Sequence, residues 1–429
     1  MSKIFVINDF DDINDLYVRH YSLDKGHFMA KSLVKLGHTV YFLTTKENYN
    51  KNEINYICLS NVTTNFVHSM NYILIIREPL MIDIINKLPA IKSILKIPIV
   101  SRNGPKFIIK SDCPFWYRSK AFIKSLRELS MIGPNEHITD WVIAHIDFIC
   151  AQNKEYAAIV RKYNIKDSMI LVSKMGIPNE AIDFSKLINP YCINHLYCVD
   201  NPTLLEKGKA LWPYYYTTNP SKKPGCNSRK YIIVYTGRIK TDGGKIFYNM
   251  RDIMKILGDK YELHIFPGSF SIPNESGVTH HSSKNALSLD ILRNTIYKDS
   301  TNVIVHFPYE HTDKYRYLYY ADCGIDFSDT RPAKVPCIAG HAKILEYCES
   351  GLPIVCEENI QNLSLIKNGG NGIILPYMAS DQQYAQAIKE IVIKPINRKH
   401  CRDITRQNEN WDTITADLIN QINSKIQKT

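Results

Sequence analysis

A chain of 429 residues is too long for one compact core, so two domains are expected. An apolar fraction of 45% against 22% charged residues excludes disorder on a large scale. The net charge of +11, from 53 Lys plus Arg against 42 Asp plus Glu, favours an anionic partner such as a nucleotide diphosphate, a membrane surface or nucleic acid. The eleven cysteines are scattered, odd in number and never spaced Cys-x-x-Cys, and Met1-Ser2-Lys3 runs straight into a strand-like segment with no signal-peptide pattern. A reduced, cytoplasmic compartment is the expectation. The apolar stretch from Tyr72 to Val100 is broken by Arg77, Glu78, Asp83, Lys87, Lys92 and Lys96, whereas a spanning helix needs roughly 20 apolar residues in a row.

Taken in chain order, short β-branched runs alternate with longer helical patterns, which is the signature of parallel α/β layers. Ile4–Ile7 reads as a buried strand, followed by a polar loop from Asn8 to about Gly26. A helix then carries Phe28, Met29, Leu33, Val34 and Leu36 on one face and stops at Gly37-His38, where glycine takes the left-handed cap conformation. Val40–Leu43 is the next strand, and further strands are predicted at Tyr72–Ile76, Ile97–Ser101, Phe148–Ala151 and Ile170–Val172. Between Lys106 and Leu129, Phe107, Phe115, Trp116, Tyr117, Phe122 and Leu126 are interleaved with basic residues. This segment fits an amphipathic helix, packed inward or resting peripherally on a membrane or acceptor. Nucleic acid is not expected, because no recognition motif accompanies the basic residues. Regular patterning fails from Asp183 to Arg229, a stretch with five prolines and the Tyr214-Tyr215-Tyr216 cluster. A second α/β series starts at Tyr231–Tyr235 and continues through Glu262–Phe266, Val303–Phe307, Gly324–Phe327, Ile354–Cys356 and Gly372–Leu375, before a final amphipathic helix from Trp411 to Ile426.

The segment from Gly340 to Cys356 carries the most chemistry. It reads as a loop, a helix from about Ala342, a Gly351-Leu352-Pro353 turn and a buried strand. A glycine-led helix N-terminus at the carboxyl edge of a parallel sheet is an anion site. Lys343 in the first turn opposes the helix dipole unless a bound anion offsets it. Glu346, one turn on, is placed to accept hydrogen bonds from ribose hydroxyls. A solvated helix with unrelated surface charges is the plain alternative.

Lys343-x-x-Glu346-Tyr347 followed by Gly351-Leu352-Pro353-Ile354-Val355 resembles the donor-binding segment of the group 1 family of retaining glycosyltransferases with the GT-B fold. Met29-Ala30 through Val40, Met175–Asn179, Thr236-Gly237-Arg238, Tyr320-Ala321-Asp322, Asn371-Gly372-Ile373 and the helix from Trp411 resemble further segments of that family, in the same order. The resemblance implies two Rossmann-like domains facing across a cleft, with the C-terminal helix crossing back to the first. Residues 1–182 would bind acceptor and residues 230–405 the nucleotide sugar; residues 183–229 would be a connector or insertion, and residues 406–429 the returning helix. It implies a transferase that moves a sugar from a nucleotide-diphosphate donor to a glycan, lipid-linked or small-molecule acceptor, without a cofactor or metal.

Carried over residue by residue, the resemblance makes Arg238 and Lys343 catalytic. Gly237, Arg238, Gly268, Gly340, His341, Lys343 and Glu346 would bind donor, with Arg238 on the diphosphate, Glu346 on the ribose and Gly268 admitting the nucleotide to the backbone. His20, His27 and Asn103 are acceptor-side candidates, Asn103 standing where the family often has a histidine after its fourth strand. Two departures bear on catalysis: Ile338 replaces the family's first glutamate, and Gly243 replaces a lysine five residues after the arginine. A nucleotide-sugar 2-epimerase of the same fold, or an inactive sugar-nucleotide-binding scaffold, therefore stays open. Asp9-Phe10-Asp11 resembles nucleophile or metal motifs of other folds but lacks their partner residues. Cys192, His195, Cys198 and Cys226 are ligand types suited to zinc at an uncommon spacing.

Overall fold

A computed structural model describes residues 1–8, 21–76, 87–110, 120–177, 190–191, 230–239, 246–274, 277–282, 286–306, 314–327, 342–368, 370–394 and 397–427. They fall into two compact units. One holds the described residues within Met1–Asp15, Arg19–Asn179 and Asn408–Thr429, and the other those within Glu180–Gln407. The Asp9–Asp11 pattern, the zinc-type cysteines and the tyrosine cluster at 214–216 lie outside the described residues.

In the first unit the strands are β1 (Lys3–Ile7), β2 (Thr39–Thr44), β3 (Tyr49–Lys51), β4 (Ile54–Cys58), β5 (Tyr72–Ile76), β6 (Lys106–Lys110), β7 (Phe148–Ala151) and β8 (Ile170–Val172). Their order in the sheet is β3-β4-β2-β1-β5-β6-β7-β8, parallel throughout except for the β3/β4 pair. Helices cover both faces, which is why these strands read as unbroken apolar runs rather than alternating ones. Phe5, Ile7, Ile73, Ile75, Phe107 and Ile109 join one core with Ile91, Phe122 and Trp141. Ile4, Val6, Leu74, Ile76 and Ile108 face the other way, onto Met29, Leu33, Trp411 and Leu418.

The predicted strand at Ile97–Ser101 does not form. Pro98 precedes a 3-10 turn at Ile99–Ser101, and Val100 is 95% exposed. The strand that pairs with β5 is Lys106–Lys110, in register from Tyr72↔Lys106 to Ile76↔Lys110. The segment predicted as one amphipathic helix thus opens with a strand, and among its described residues the helix is Lys120–Glu128. Phe122 and Leu126 of that helix are core residues, while Lys120, Lys124 and Arg127 are exposed.

The last helix, Trp411–Ile426, belongs to this first unit. Asn410 caps it by accepting from the Thr413 N–H. Its buried stripe of Trp411, Ile414, Leu418 and Ile422 lies on the β1–β5–β6 face. Backbone bonds anchor its start: the Ile177 N–H donates to the Glu409 carbonyl (2.6 Å), and the Trp411 N–H donates to the Ile177 carbonyl (3.0 Å). Gly176 makes this approach possible, since a Cβ there would lie 2.8 Å from Ile414 and 3.0 Å from Trp411.

In the second unit the strands are β9 (Tyr231–Ile239), β10 (Tyr261–Asn274), β11 (Gly277–Ser282), β12 (Val303–Val305), β13 (Cys323–Asp326), β14 (Ile354–Glu357) and β15 (Gly372–Leu375). The order is β11-β10-β9-β13-β14-β15, and β12 pairs with the first half of β10. Only β11 is antiparallel among the described pairs. Strand β10 outruns the predicted Glu262–Phe266: it shifts register between Pro267 and Phe270 and continues to Asn274. Proline lacks a donor for the ladder, so a bulge at Pro267 is where a strand can carry it. Ile233, Tyr235, Leu263, Ile265 and Ile325 pack on the helices Ile246–Leu257 and Asp381–Ile393.

Candidate functional site

The carboxyl edge of the second sheet holds the described residues expected to bind donor. Gly237 lies near the end of β9 at φ +96°, a conformation that strains any other residue. A Cβ there would stand 3.5 Å from the Lys343 side chain. Lys343 and Glu346 sit on the helix Ala342–Glu349, with Glu346 half-buried and Lys343 only 9% exposed. Gly268 lies within the β10 bulge, opposite the end of β9. The backbone of Arg238 continues β9, but its side chain lies outside the described residues, as do Gly340, His341 and His20.

Lys343 has a local partner that the sequence reading did not include. Its Nζ pairs with Asp326 Oδ1 at 3.0 Å and stands 3.9 Å above the centre of the Tyr235 ring. Asp326 ends β13 and is 1% exposed. Burial works to lower the Lys343 ammonium, but the Asp326 carboxylate and the adjoining Tyr235 and Tyr347 hold it well above the ordinary lysine range. Lys343 is therefore permanently charged and already neutralised by Asp326, so the helix-dipole argument for a missing anion loses its force. A carboxylate closing an otherwise apolar strand, Cys323-Gly324-Ile325-Asp326, was the available signal.

Tyr347 fastens the helix to the sheet. Its Oη accepts from the buried Thr236 N–H at 3.0 Å, one residue before Gly237. Gly324 leaves room for the ring, because a Cβ there would fall 2.7 Å from Tyr347 Cδ2. Tyr347→Phe should orphan the Thr236 N–H and cost about 1–3 kcal/mol in urea unfolding; an unchanged unfolding midpoint would dismiss the clasp.

The neighbouring motif residues are structural. Asp322 Oδ2 accepts from the Ile232 N–H at 2.8 Å and holds the start of β9. Asn371 Oδ1 accepts from the Lys367 N–H (2.7 Å) and its Nδ2 donates to the Leu365 carbonyl (2.9 Å), which forms the turn before β15. Gly351, at φ +64°, ends the helix against Arg398, whose carbonyl would lie 2.4 Å from any Cβ.

Two acceptor-side candidates are described, and they do not form a common site. His27 is exposed, with its ring 4.3 Å from Phe42 of β2. Asn103 must be corrected: it precedes β6 rather than following a strand, so it lies at the amino edge of the sheet, opposite the edge where α/β folds bind ligands. Its neighbours show the same. Arg102 donates to the Asp147 carboxylate and to the His145 carbonyl (2.8 Å), and Asp147 in turn accepts from the Phe107 N–H (2.8 Å). No helix among the described residues is long and apolar enough to cross a membrane.

No protein-family model and no curated protein matches this sequence, but solved structures match it over its whole length. HepE of Anabaena, in complex with UDP and glucose, is similar at TM-score 0.58 and 10% identity, covering 99% of this chain and 100% of that one. Sucrose-phosphate synthase from Thermosynechococcus elongatus is similar at TM-score 0.57 and 12% identity, covering 100% of both chains. The lipopolysaccharide outer core galactosyltransferase WaaB, in its apo form, is similar at TM-score 0.52 and 13% identity, covering 99% of both. The likeness is one of fold, and by it this chain has the GT-B fold of the glycosyltransferases.

Proposed function

We propose that this protein is a glycosyltransferase that moves a sugar from a nucleotide-diphosphate donor to a glycan, lipid-linked or small-molecule acceptor, without a metal and with retention at the anomeric carbon. The observation that carries the reading is the edge formed by Gly237, Lys343 and Glu346 at the carboxyl ends of β9 and β13. It stands in a fold whose solved examples include HepE with UDP and glucose.

The leaving group of such a reaction is a nucleoside diphosphate, so the site must supply fixed positive charge and aimed N–H donors. Arg238, at the end of β9, takes the diphosphate, for which a guanidinium fork is suited. The Gly340 and His341 amides add donors, Gly268 admits the nucleotide to the backbone, and Glu346 accepts from the ribose hydroxyls. Lys343 has a different part from the one its motif implies. Because Asp326 balances its charge, it supports the turn beneath Gly237 and contributes little net attraction to phosphate. Contact with an anionic membrane or acceptor falls to the exposed Lys120, Lys124 and Arg127, since Phe122 and Leu126 are in the core.

Thermal shift against UDP-, GDP- and ADP-sugars tests the reading, because a ligand that binds only the folded state raises the midpoint by mass action. One of the three should do so. Glu346→Ala should weaken its binding about 10-fold or more, the worth of a charge-assisted hydrogen bond. If none of the three shifts the midpoint, the glycosyltransferase reading fails. Incubating the donor alone then separates transfer from 2-epimerisation, since only the second releases a new sugar without an acceptor.

A further inference from the structure

The second unit buries a row of ionisable groups that donor binding, as described, does not use. Glu262, His264 and Phe266 alternate along β10, and His306 directly follows β12, its N–H donating to the Ile265 carbonyl at 2.8 Å. Glu262 Oε1 lies 2.9 Å from His264 Nε2, and His264 Nδ1 lies 2.8 Å from His306 Nε2. Lys230 Nζ donates to the other oxygen of Glu262 at 3.1 Å. His264 is fully buried and His306 is 6% exposed.

The first of these contacts has a direction. Burial by itself would raise the Glu262 carboxyl, yet hydrogen bonding and attraction from His264 and Lys230 bring it down to about 2. A carboxylate only accepts, so His264 Nε2 carries the proton. The His264 Nδ1–His306 Nε2 contact is a hydrogen bond between the two rings, and either ring can supply its proton. Burial, together with His264 and Arg293, pushes the His306 ring well below the ordinary histidine value, so it is uncharged at neutral pH. The charged and titratable groups packed around it are Glu262 and His264 on β10 with Lys230 behind them. Arg293, bonded to Asp290 at 2.9 Å, comes from the helix Ala286–Thr295, and Tyr317 beside Arg316 from the helix Lys314–Tyr320. Tyr191 packs edge-on against His264.

The far end of this chain of bonds touches the nucleotide edge. The His306 ring stacks on Phe266 at 4.3 Å and 8°. Phe266 immediately precedes the Pro267–Phe270 register shift that contains Gly268. An apolar pair would fill the same face without burying three polar groups, each of which costs free energy to desolvate.

We propose that His306, oriented by Glu262 through His264, is a positioning residue that holds Phe266 and the adjoining Gly268 bulge in the nucleotide-binding conformation while its own ring is uncharged. The inference rests on the glycosyltransferase reading above. A further proton on His306 places a cation beside Arg293. Because burial holds that ring well below the ordinary histidine value, nucleotide affinity falls only at a pH well under about 6.5.

The test is calorimetric binding of UDP, GDP and ADP to the full chain between about pH 7.5 and about pH 4.5, which reaches the acid side of a depressed histidine. Wild type should lose about 10-fold in affinity for its preferred diphosphate across that range, the effect of about one hydrogen bond. His306→Phe, which keeps the ring stack, should bind about 10-fold more weakly at neutral pH. His306→Gln can still hydrogen-bond to His264 Nδ1, as donor or acceptor, but cannot titrate, so it should bind within about threefold of wild type and show a flat pH profile. If His306→Phe binds as wild type with the same acid loss, or His306→Gln retains that loss, the inference is wrong while the glycosyltransferase reading stands. Should His306→Phe fail to fold, His306→Gln decides alone. If wild type binds none of the three diphosphates, reading and inference fall together.

Discussion

Lys343→Met should cost the second unit about 3–5 kcal/mol, because it leaves the Asp326 carboxylate buried without its cation. Asp326 is 1% exposed and meets the Lys343 ammonium at 3.0 Å. Asp326→Asn should be costly for the converse reason, stranding an ammonium that is itself 9% exposed. The double variant Lys343→Met with Asp326→Leu removes both charges, and buried pairs replaced by apolar residues are often neutral or stabilising. It should therefore recover most of the loss. Urea unfolding of the four proteins checks this as a double-mutant cycle, and near-additive single losses would rule out the buried pair. Activity gives a second readout. A double variant that regains stability and also keeps nucleotide binding places Lys343 beneath the site; one that is stable but cannot bind places its charge in contact with the diphosphate.

The second large effect concerns the C-terminal helix. Trp411→Ala should destabilise the first unit by about 3–5 kcal/mol, the usual cost of deleting a fully buried aromatic side chain. Trp411 is 1% exposed and lies in one core with residues of β1, β5 and β6, more than three hundred residues earlier in the chain. Chain ended after Gln407 would also uncover Ile4, Val6, Leu74 and Ile108, a contiguous apolar face that soluble proteins do not leave exposed. Such a truncation should yield aggregated protein. A soluble truncation with the wild-type unfolding midpoint would show that this helix is dispensable.

Much of the fold was legible because α/β folds write themselves locally. Ile4–Ile7, Tyr72–Ile76 and Ile354–Cys356 are short apolar runs bounded by turn residues, and each is a strand. The helix at Ala342–Glu349, its Gly351 stop and the strand after it follow from spacing and from the one residue that tolerates φ +64°. Ile97–Ser101 has the same local look as a strand, yet it is a turn. An apolar run of that length becomes a strand only if a neighbour offers its ladder, and β5 pairs with Lys106–Lys110 instead. That slip carried Asn103 to the wrong edge of the sheet. The partner of Lys343 was hidden for a similar reason: Asp326 and Tyr235 are 17 and 108 positions away in number, and only the adjacency of β9 and β13 brings them together.

Sequence by itself determined the architecture: periodicity, glycine placement and the order of its motifs prescribe two parallel sheets and a helix that returns to the first. Those features depend on contacts within a few turns of chain or on the plain need to cover apolar faces. Only tertiary structure decided the electrostatics, because a charge is defined by what lies within a few ångströms of it. Thus Lys343 belongs to Asp326, and Glu262, His264 and His306 form one line of hydrogen bonds across β10 and β12.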